Sequence, residues 1–167
     1  FLDVEKADKA RAKMKEQGII YGDSVSYRHM CRFESGFFWR HPLLDEYDWY
    51  WRVEPEIKFY CDIDYDLFKF MEMTNQTYAF AISIYEFEAT IPTLWQTTKD
   101  FIKLHPDYLH QNNLMDFLSD NKGEKYNLCH FWSNFEIANL NFFRGQKYRE
   151  YFEYLDNAGG FFYERWG

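Results

Sequence analysis

Apolar residues recur along the chain at every third or fourth position in some stretches and in short unbroken aromatic runs in others. This alternation predicts helices interleaved with strands. Glu5 to Gln17 carries Ala, Met and Lys at helical spacing, with Gly18 as C-cap. Ile19 to Ser26 is short and turn-like. Tyr27 to Arg40 (YRHMCRFESGFFWR) reads as an aromatic helix that ends before His41-Pro42. Trp49 to Val53 and Ile57 to Tyr60 are expected as strands on either side of an acidic turn, and Asp64 to Thr74 as a helix. Tyr78 to Phe87 (YAFAISIYEF) reads as the clearest buried strand. Helices are expected from Thr90, with Pro92 in its first turn, to Leu104, and from Pro106 to Leu118. Asn121-Lys122-Gly123 marks a turn, Asn127 to Trp132 a strand and Tyr148 to Asp156 a helix. A last short strand, Phe161 to Tyr163, follows Gly159-Gly160.

Strands alternating with helices imply an α/β class, and the 167 residues fit one domain without internal repeat or linker. A hydrophobic fraction of 47% suffices for a core. Aromatics reach 23%, so some rings are expected to face a cleft, where they stack on sugar faces, while most belong to the core. The net charge of -8 argues against nucleic acid as a partner, because phosphate backbones need basic patches. Metal-assisted handling of a phosphorylated substrate stays open, since the cation then supplies the positive charge.

Cys31, Cys61 and Cys129 have no CxxC spacing, which argues against a zinc knuckle. Their odd number leaves at least one unpaired within the chain; buried free thiols fit, and so does an oxidising compartment with one partner outside this stretch. No apolar run approaches the roughly 20 residues that span a bilayer. The chain starts without Met inside a helical pattern and reads as a piece of a longer protein. Asn75-Gln76-Thr77 is an N-glycosylation sequon, consistent with a secretory route.

Candidate chemistry begins at Asp48-Trp49-Tyr50-Trp51-Arg52-Val53-Glu54-Pro55-Glu56. Pro55 has no N–H and stops the ladder, leaving Glu54 and Glu56 at the sheet edge, where open α/β sheets place ligands. Two carboxylates there suit a divalent cation and a sugar; Glu-Pro-Glu is also an ordinary strand exit. Asp62, Asp64 and Asp66 alternate like a calcium loop, but Leu67 and Met73 stand where an EF-hand needs Gly and Glu, so helix capping is the better reading. Glu136, in SNFEIANL (133–140), is either a surface glutamate or a carboxylate desolvated by Phe131 and Phe135. The latter suits a nucleophile or an electrostatic stabiliser at an anomeric carbon. His130 reads as a ligand or general base, or as a satisfied core histidine. No GxGxxG, GxxxxGK[ST] or GxSxG occurs, which removes support for dinucleotide, P-loop and serine-hydrolase readings.

The runs YRHMCRFESGFFWR (27–40), YDWYWRVEPEIKFYCDIDYD (47–66), YNLCHFWSNFEIANLNFFR (126–144) and GGFFYERWG (159–167) closely resemble the fungal α-1,2-mannosyltransferases of glycosyltransferase family 15, in collinear order over essentially the whole chain. The resemblance implies a GT-A-like fold, a mixed sheet flanked by helices, present here as a partial domain. It implies retaining transfer of mannose from GDP-mannose to the 2-hydroxyl of a mannose acceptor on O- and N-linked glycans, with Mn²⁺. It also implies a type II membrane protein of the Golgi lumen, anchored outside this chain.

By the same resemblance Glu54 and Glu56 take the place of the family's acidic metal motif, where Glu56 often gives way to Asp. Glu136 matches the proposed nucleophile, Tyr27 a tyrosine near the reacting sugar and Arg52 an arginine of the same cleft. Trp132 and Asn134 are assigned to substrate binding, and Trp39, Trp51 and Trp132 are candidate stacking platforms. Residues 1–167 would then be the central and C-terminal part of one catalytic domain. The nucleotide-binding βα units would precede Phe1, and the metal-ligating histidine would follow Gly167. A non-catalytic mannose-binding module is the alternative function.

Overall fold

A computed structural model describes residues 2–167. Helix α1 (Val4–Glu16) begins where the Asp3 carboxylate accepts the Lys6 N–H, and α2 (Val25–Gly36) where the Ser24 hydroxyl accepts that of Tyr27. Arg28 ties the turn between them together. It is fully buried and donates to the carbonyls of Tyr21, Gly22, Ser24 and Glu164, so a cation without a carboxylate has its donors spent on backbone oxygens. Short 3-10 turns at Phe38–Arg40 and Pro42–Leu44 lead into strand β1 (Trp49–Val53).

The remaining elements are α3 (Leu67–Met73), β2 (Tyr78–Phe80), β3 (Ser83–Tyr85), α4 (Leu94–Leu104), α5 (Met115–Leu118), β4 (Ser119–Asp120) and β5 (Lys125–Tyr126). After them come β6 (Cys129–Phe131), β7 (Phe135–Asn139), α6 (Leu140–Arg144), α7 (Gln146–Ala158) and α8 (Gly160–Tyr163). The main sheet has the order β1-β7-β2, while β3 pairs with β6 and β4 with β5. The α/β class holds, with every ladder among the described residues antiparallel.

Two apolar clusters hold these elements. Ile91, Phe152, Leu155, Phe161 and Trp166 form one, and Trp39, Ala138, Leu140 and Phe143 the other. Tyr148 packs against both and donates its hydroxyl to the Ser35 carbonyl, which locks α7 onto the end of α2. Gly36 is required at that crossing: a Cβ there would stand 2.0 Å from the Phe152 ring.

Several expected elements differ. Ile57 to Tyr60 forms no strand. Tyr78 to Phe87 is not one buried strand but β2 and β3, in two different sheets, and β3 is exposed throughout. The helix expected from Pro106 shrinks to a 3-10 turn and α5. Between them the His110 ring accepts the Asn112 N–H, the Asn113 amide donates to the His110 carbonyl, and its oxygen accepts from Met115. Such local side-chain bonds replace helical ones. Phe161 to Tyr163 is helical, because Gly159 takes a left-handed φ of 79° and re-aims the chain into α8. The central strand β7 lay in a stretch for which no strand was expected.

Candidate active site

Strand β7 builds the site because it is central. Its register sets Arg52 and Phe80 opposite Glu136, and Tyr50 and Tyr78 opposite Ala138. Directly paired residues share a face, so all six side chains lie on one side of the sheet. Ala138, 1% exposed, leaves room for a tyrosine on either side. Glu136 is 8% exposed and fully engaged by that pair: Oε1 accepts the Tyr50 hydroxyl at 2.5 Å and Oε2 the Tyr78 hydroxyl at 2.6 Å. Burial, joined by the Glu136 charge, holds both phenols far above their usual pKa, so they remain donors at any physiological pH.

One step along the same face, Arg52 donates to Glu54 Oε1 through Nε at 2.8 Å and Nη2 at 2.6 Å. Its Nη1 lies 3.8 Å from Glu34 Oε2 on α2. Burial pushes the Glu34 carboxyl up; Arg52 opposes this, and the charges of Glu54 and Glu136 add to it. Charges of opposite sign thus alternate from Glu34 through Arg52 to Glu54, next to the clamped Glu136.

These groups open onto a cleft of 850 Å³, a volume suited to a small-molecule substrate. Glu136, Tyr50, Tyr78, Arg52 and Glu34 line it, and so do Tyr27, Trp132 and Asn134. Tyr27 stacks on Tyr21 with centroids 4.5 Å apart, and the Arg165 guanidinium lies 5.1 Å from its ring. Burial raises the Tyr27 phenol as well. His130 lines the cleft with a buried Nδ1 that has no partner among the described residues, so there it is not a satisfied core residue.

Five of the seven expected site residues therefore meet in one cleft: Glu136, Tyr27, Arg52, Trp132 and Asn134. The acidic pair stands at its margin. Glu54 reaches it through Arg52, whereas Glu56 is exposed, takes a left-handed φ of 64° after Pro55 and does not line the cleft. Among the described residues no group of three or more His, Cys, Asp or Glu could hold a metal ion. Among the described residues no hydrogen bond reaches Glu54 Oε2 or the Glu56 carboxylate, which leaves hard oxygen donors of the kind a divalent cation takes. Of the stacking candidates, Trp39 is buried in the core, and Trp51 lies on the opposite sheet face against Phe59 and Phe135. Only Trp132 faces the cleft.

Sequence reasoning missed Tyr50, Tyr78, Glu34 and Arg165. Tyr50 had a signal, being two residues before Arg52 on a strand and hence on its face. Tyr78 and Glu34 had none without the register of β7 and the packing of α2.

The chain is 72% identical to glycolipid 2-alpha-mannosyltransferase 2 of Candida albicans over 167 residues, 100% of this chain and 36% of the relative. It is 66% identical to alpha-1,2 mannosyltransferase KTR1 of Saccharomyces cerevisiae, covering 100% of this chain and 42% of that protein. The chain thus spans about two fifths of the length of the curated relatives it matches. Among solved structures it superimposes on core-mannan synthase A of Aspergillus fumigatus in its Mn/GDP form. The TM-score is 0.96 at 48% identity, covering 100% of this chain and 47% of that one. The Saccharomyces cerevisiae mannosyltransferase Ktr4p in complex with GDP gives 0.96 at 44% identity, covering 99% and 44%. The α/β glycosyltransferase fold expected from the sequence is the fold of these enzymes. The family model for glycolipid 2-alpha-mannosyltransferases matches residues 1–167, and the chain belongs to that family.

Proposed function

We propose that the protein containing this chain is a retaining α-1,2-mannosyltransferase that moves mannose from GDP-mannose to the 2-hydroxyl of a mannose acceptor on O- or N-linked glycans. The observation that carries this reading is the buried Glu136 carboxylate, clamped on both oxygens by Tyr50 and Tyr78 at the wall of an aromatic cleft. Breaking the bond between mannose and the diphosphate develops positive charge at the anomeric carbon, and a fixed, desolvated anion stabilises it. With both oxygens already accepting short bonds, Glu136 is better suited to that electrostatic role than to covalent attack. The acceptor hydroxyl then enters from the face that GDP leaves. Arg52 sets the position of Glu54, and Tyr27 with Trp132 and Asn134 supplies rings and amide groups that bind hydroxylated substrates. Glu54 would be the contact within this chain for a divalent cation, in this reading Mn²⁺, which would supply positive charge to offset that of the diphosphate.

The same reading takes residues 1–167 as the central and C-terminal part of one catalytic domain, whose nucleotide-binding units and remaining metal ligand lie elsewhere in the protein. It places that protein in the Golgi lumen as a type II membrane protein that contributes to cell-wall mannan. An exposed Asn75, heading the sequon after α3, supports the lumenal route.

Mannose transfer from GDP-mannose to α-methyl mannoside with Mn²⁺, measured for the whole protein and its Glu136→Gln variant, tests the function. Transfer in the parent that falls by orders of magnitude in the variant is expected. A mannosyl adduct trapped on Glu136 would replace the electrostatic role by covalent catalysis. Mannoside binding indifferent to GDP and Mn²⁺, without transfer, would favour a binding module instead.

A further inference from the structure

Two triplets along the chain place an asparagine two residues before a hydroxyl or a thiol: Asn75-Gln76-Thr77 and Asn127-Leu128-Cys129. Ser or Thr at the third position makes an N-glycosylation acceptor, and Cys serves there less well. The fold treats the two asparagines oppositely. Asn127 is half-buried, and both ends of its amide are committed. Nδ2 donates to the Phe117 carbonyl at 2.7 Å, and Oδ1 accepts the Cys129 N–H at 2.9 Å. A sugar on that nitrogen would have to sit where the amide already ties α5 to the start of β6.

Asn75 serves the fold through its backbone. It follows α3 with a left-handed φ of 52°; its N–H donates to the Glu72 carbonyl at 3.1 Å, and the Gln76 N–H to that of Met71 at 2.9 Å. This pair of bonds closes the helix, and asparagine tolerates the conformation. The cap accounts for an asparagine at 75 without using its side chain, and it does not account for the threonine at 77. Asn75, Gln76 and Thr77 are all exposed. Among the described residues neither the Asn75 amide nor the Thr77 hydroxyl makes a hydrogen bond. The triplet joins the sheet through the Thr77 carbonyl, which accepts the Asn139 N–H at 2.9 Å, and none of the three residues lines the cleft that holds Glu136.

We propose that Asn75 carries an N-linked oligosaccharide and that Asn127 does not. The inference rests on the proposed lumenal route, where a lipid-diphosphate-linked oligosaccharide is the donor. Asn75 Nδ2 bonds to the anomeric carbon of that oligosaccharide and gives up one proton. The bond from this carbon to the diphosphate breaks, and the lipid diphosphate leaves. The glycan adds bulk and hydration after α3 and leaves the cleft open.

The test is peptide mass spectrometry of the whole protein, purified from membranes of a fungal host, after an amidase releases N-glycans in heavy-oxygen water. Each glycosylated asparagine then becomes a labelled aspartate. Label at Asn75 and none at Asn127 are expected. Asn75→Gln and Thr77→Ala each migrate one glycan lighter than the parent, and Thr77→Ser keeps the glycan. Protease treatment of sealed vesicles reads the route separately. Protein that is protected from protease yet unlabelled at Asn75, or labelled at Asn127, overturns the inference. Protein digested in sealed vesicles refutes the lumenal route itself, and the inference falls with it.

Discussion

Replacing Tyr50 and Tyr78 by Phe, singly and with Glu136→Gln, measures how firmly the sheet holds its carboxylate. Each tyrosine gives one hydroxyl to one oxygen of a side chain that is 8% exposed, at 2.5 and 2.6 Å. Phe keeps the ring and removes only the donor, so the packing against Phe38 and Phe143 around Tyr50 is preserved. A hydrogen bond to a charged group is worth about 1.5–3 kcal/mol, and a neutral one about 0.5–1.5 kcal/mol. Each Phe substitution is therefore expected to cost about 1.5–3 kcal/mol in the parent protein. In the Glu136→Gln background the cost drops to about 0.5–1.5 kcal/mol, a coupling of about 1–1.5 kcal/mol. The measurement is the urea midpoint of the four members of each cycle, accepted only where the slope is unchanged. Additivity within about 0.3–0.5 kcal/mol, the level seen for independent sites, would refute the clamp.

Three other outcomes follow from the packing and the charges. Arg28→Met removes the donors to the carbonyls of Tyr21, Gly22, Ser24 and Glu164, of which Tyr21 keeps the Ser24 N–H, and is expected to cost at least about 3 kcal/mol in chemical unfolding; a loss under about 1 kcal/mol would mean water replaces the guanidinium. Gly36→Ala drives a methyl to 2.0 Å from the Phe152 ring and should lower stability by about 1–3 kcal/mol, read as a lower melting temperature. Tyr50 and Tyr78 have folded-state pKa values raised above the ordinary tyrosine value near 10. The unfolded chain therefore loses their protons first as pH rises. Their contribution is fully present below about pH 10 and declines above it, by about 1.4 kcal/mol per pH unit for each tyrosine. The double Tyr50→Phe/Tyr78→Phe variant should flatten that alkaline decline, and an unchanged slope would refute it.

How much of this was legible in the sequence depended on whether the signal was local. Strand β1 was found at its true bounds, because Trp49 to Val53 is aromatic and β-branched and Pro55 closes it. Helices α1, α2, α4 and α7 were found to within a few residues from apolar spacing and capping residues. Tyr78 to Phe87 misled for a physical reason: an apolar run reports hydrophobicity, not continuity. The chain breaks pairing partners between Phe80 and Ser83, so β2 joins β7 while β3 joins β6. In Phe135-Glu136-Ile137-Ala138-Asn139 the period-2 pattern is present but muted, since Glu, Ala and Asn are poor strand formers in isolation. The strand exists because neighbours on both sides complete its ladder, which is tertiary information.

The same muted strand decides the register of the site. On the far side of β7, Phe135 packs edge-on against Trp51 at 5.6 Å and Phe59 at 5.7 Å. A slip of one residue would exchange the faces, carrying Glu136 into that aromatic group and Phe135 toward the tyrosine hydroxyls. It would bury a carboxylate without donors and leave both phenols unpaired, each a penalty of about 1–3 kcal/mol or more. Glu136 is thus more than a reactive group placed on a finished sheet. Together with Phe135 on the opposite face it selects the pairing that brings Tyr50 and Tyr78 to it, so the chemistry of the cleft and the order of its central strand are specified by the same two side chains.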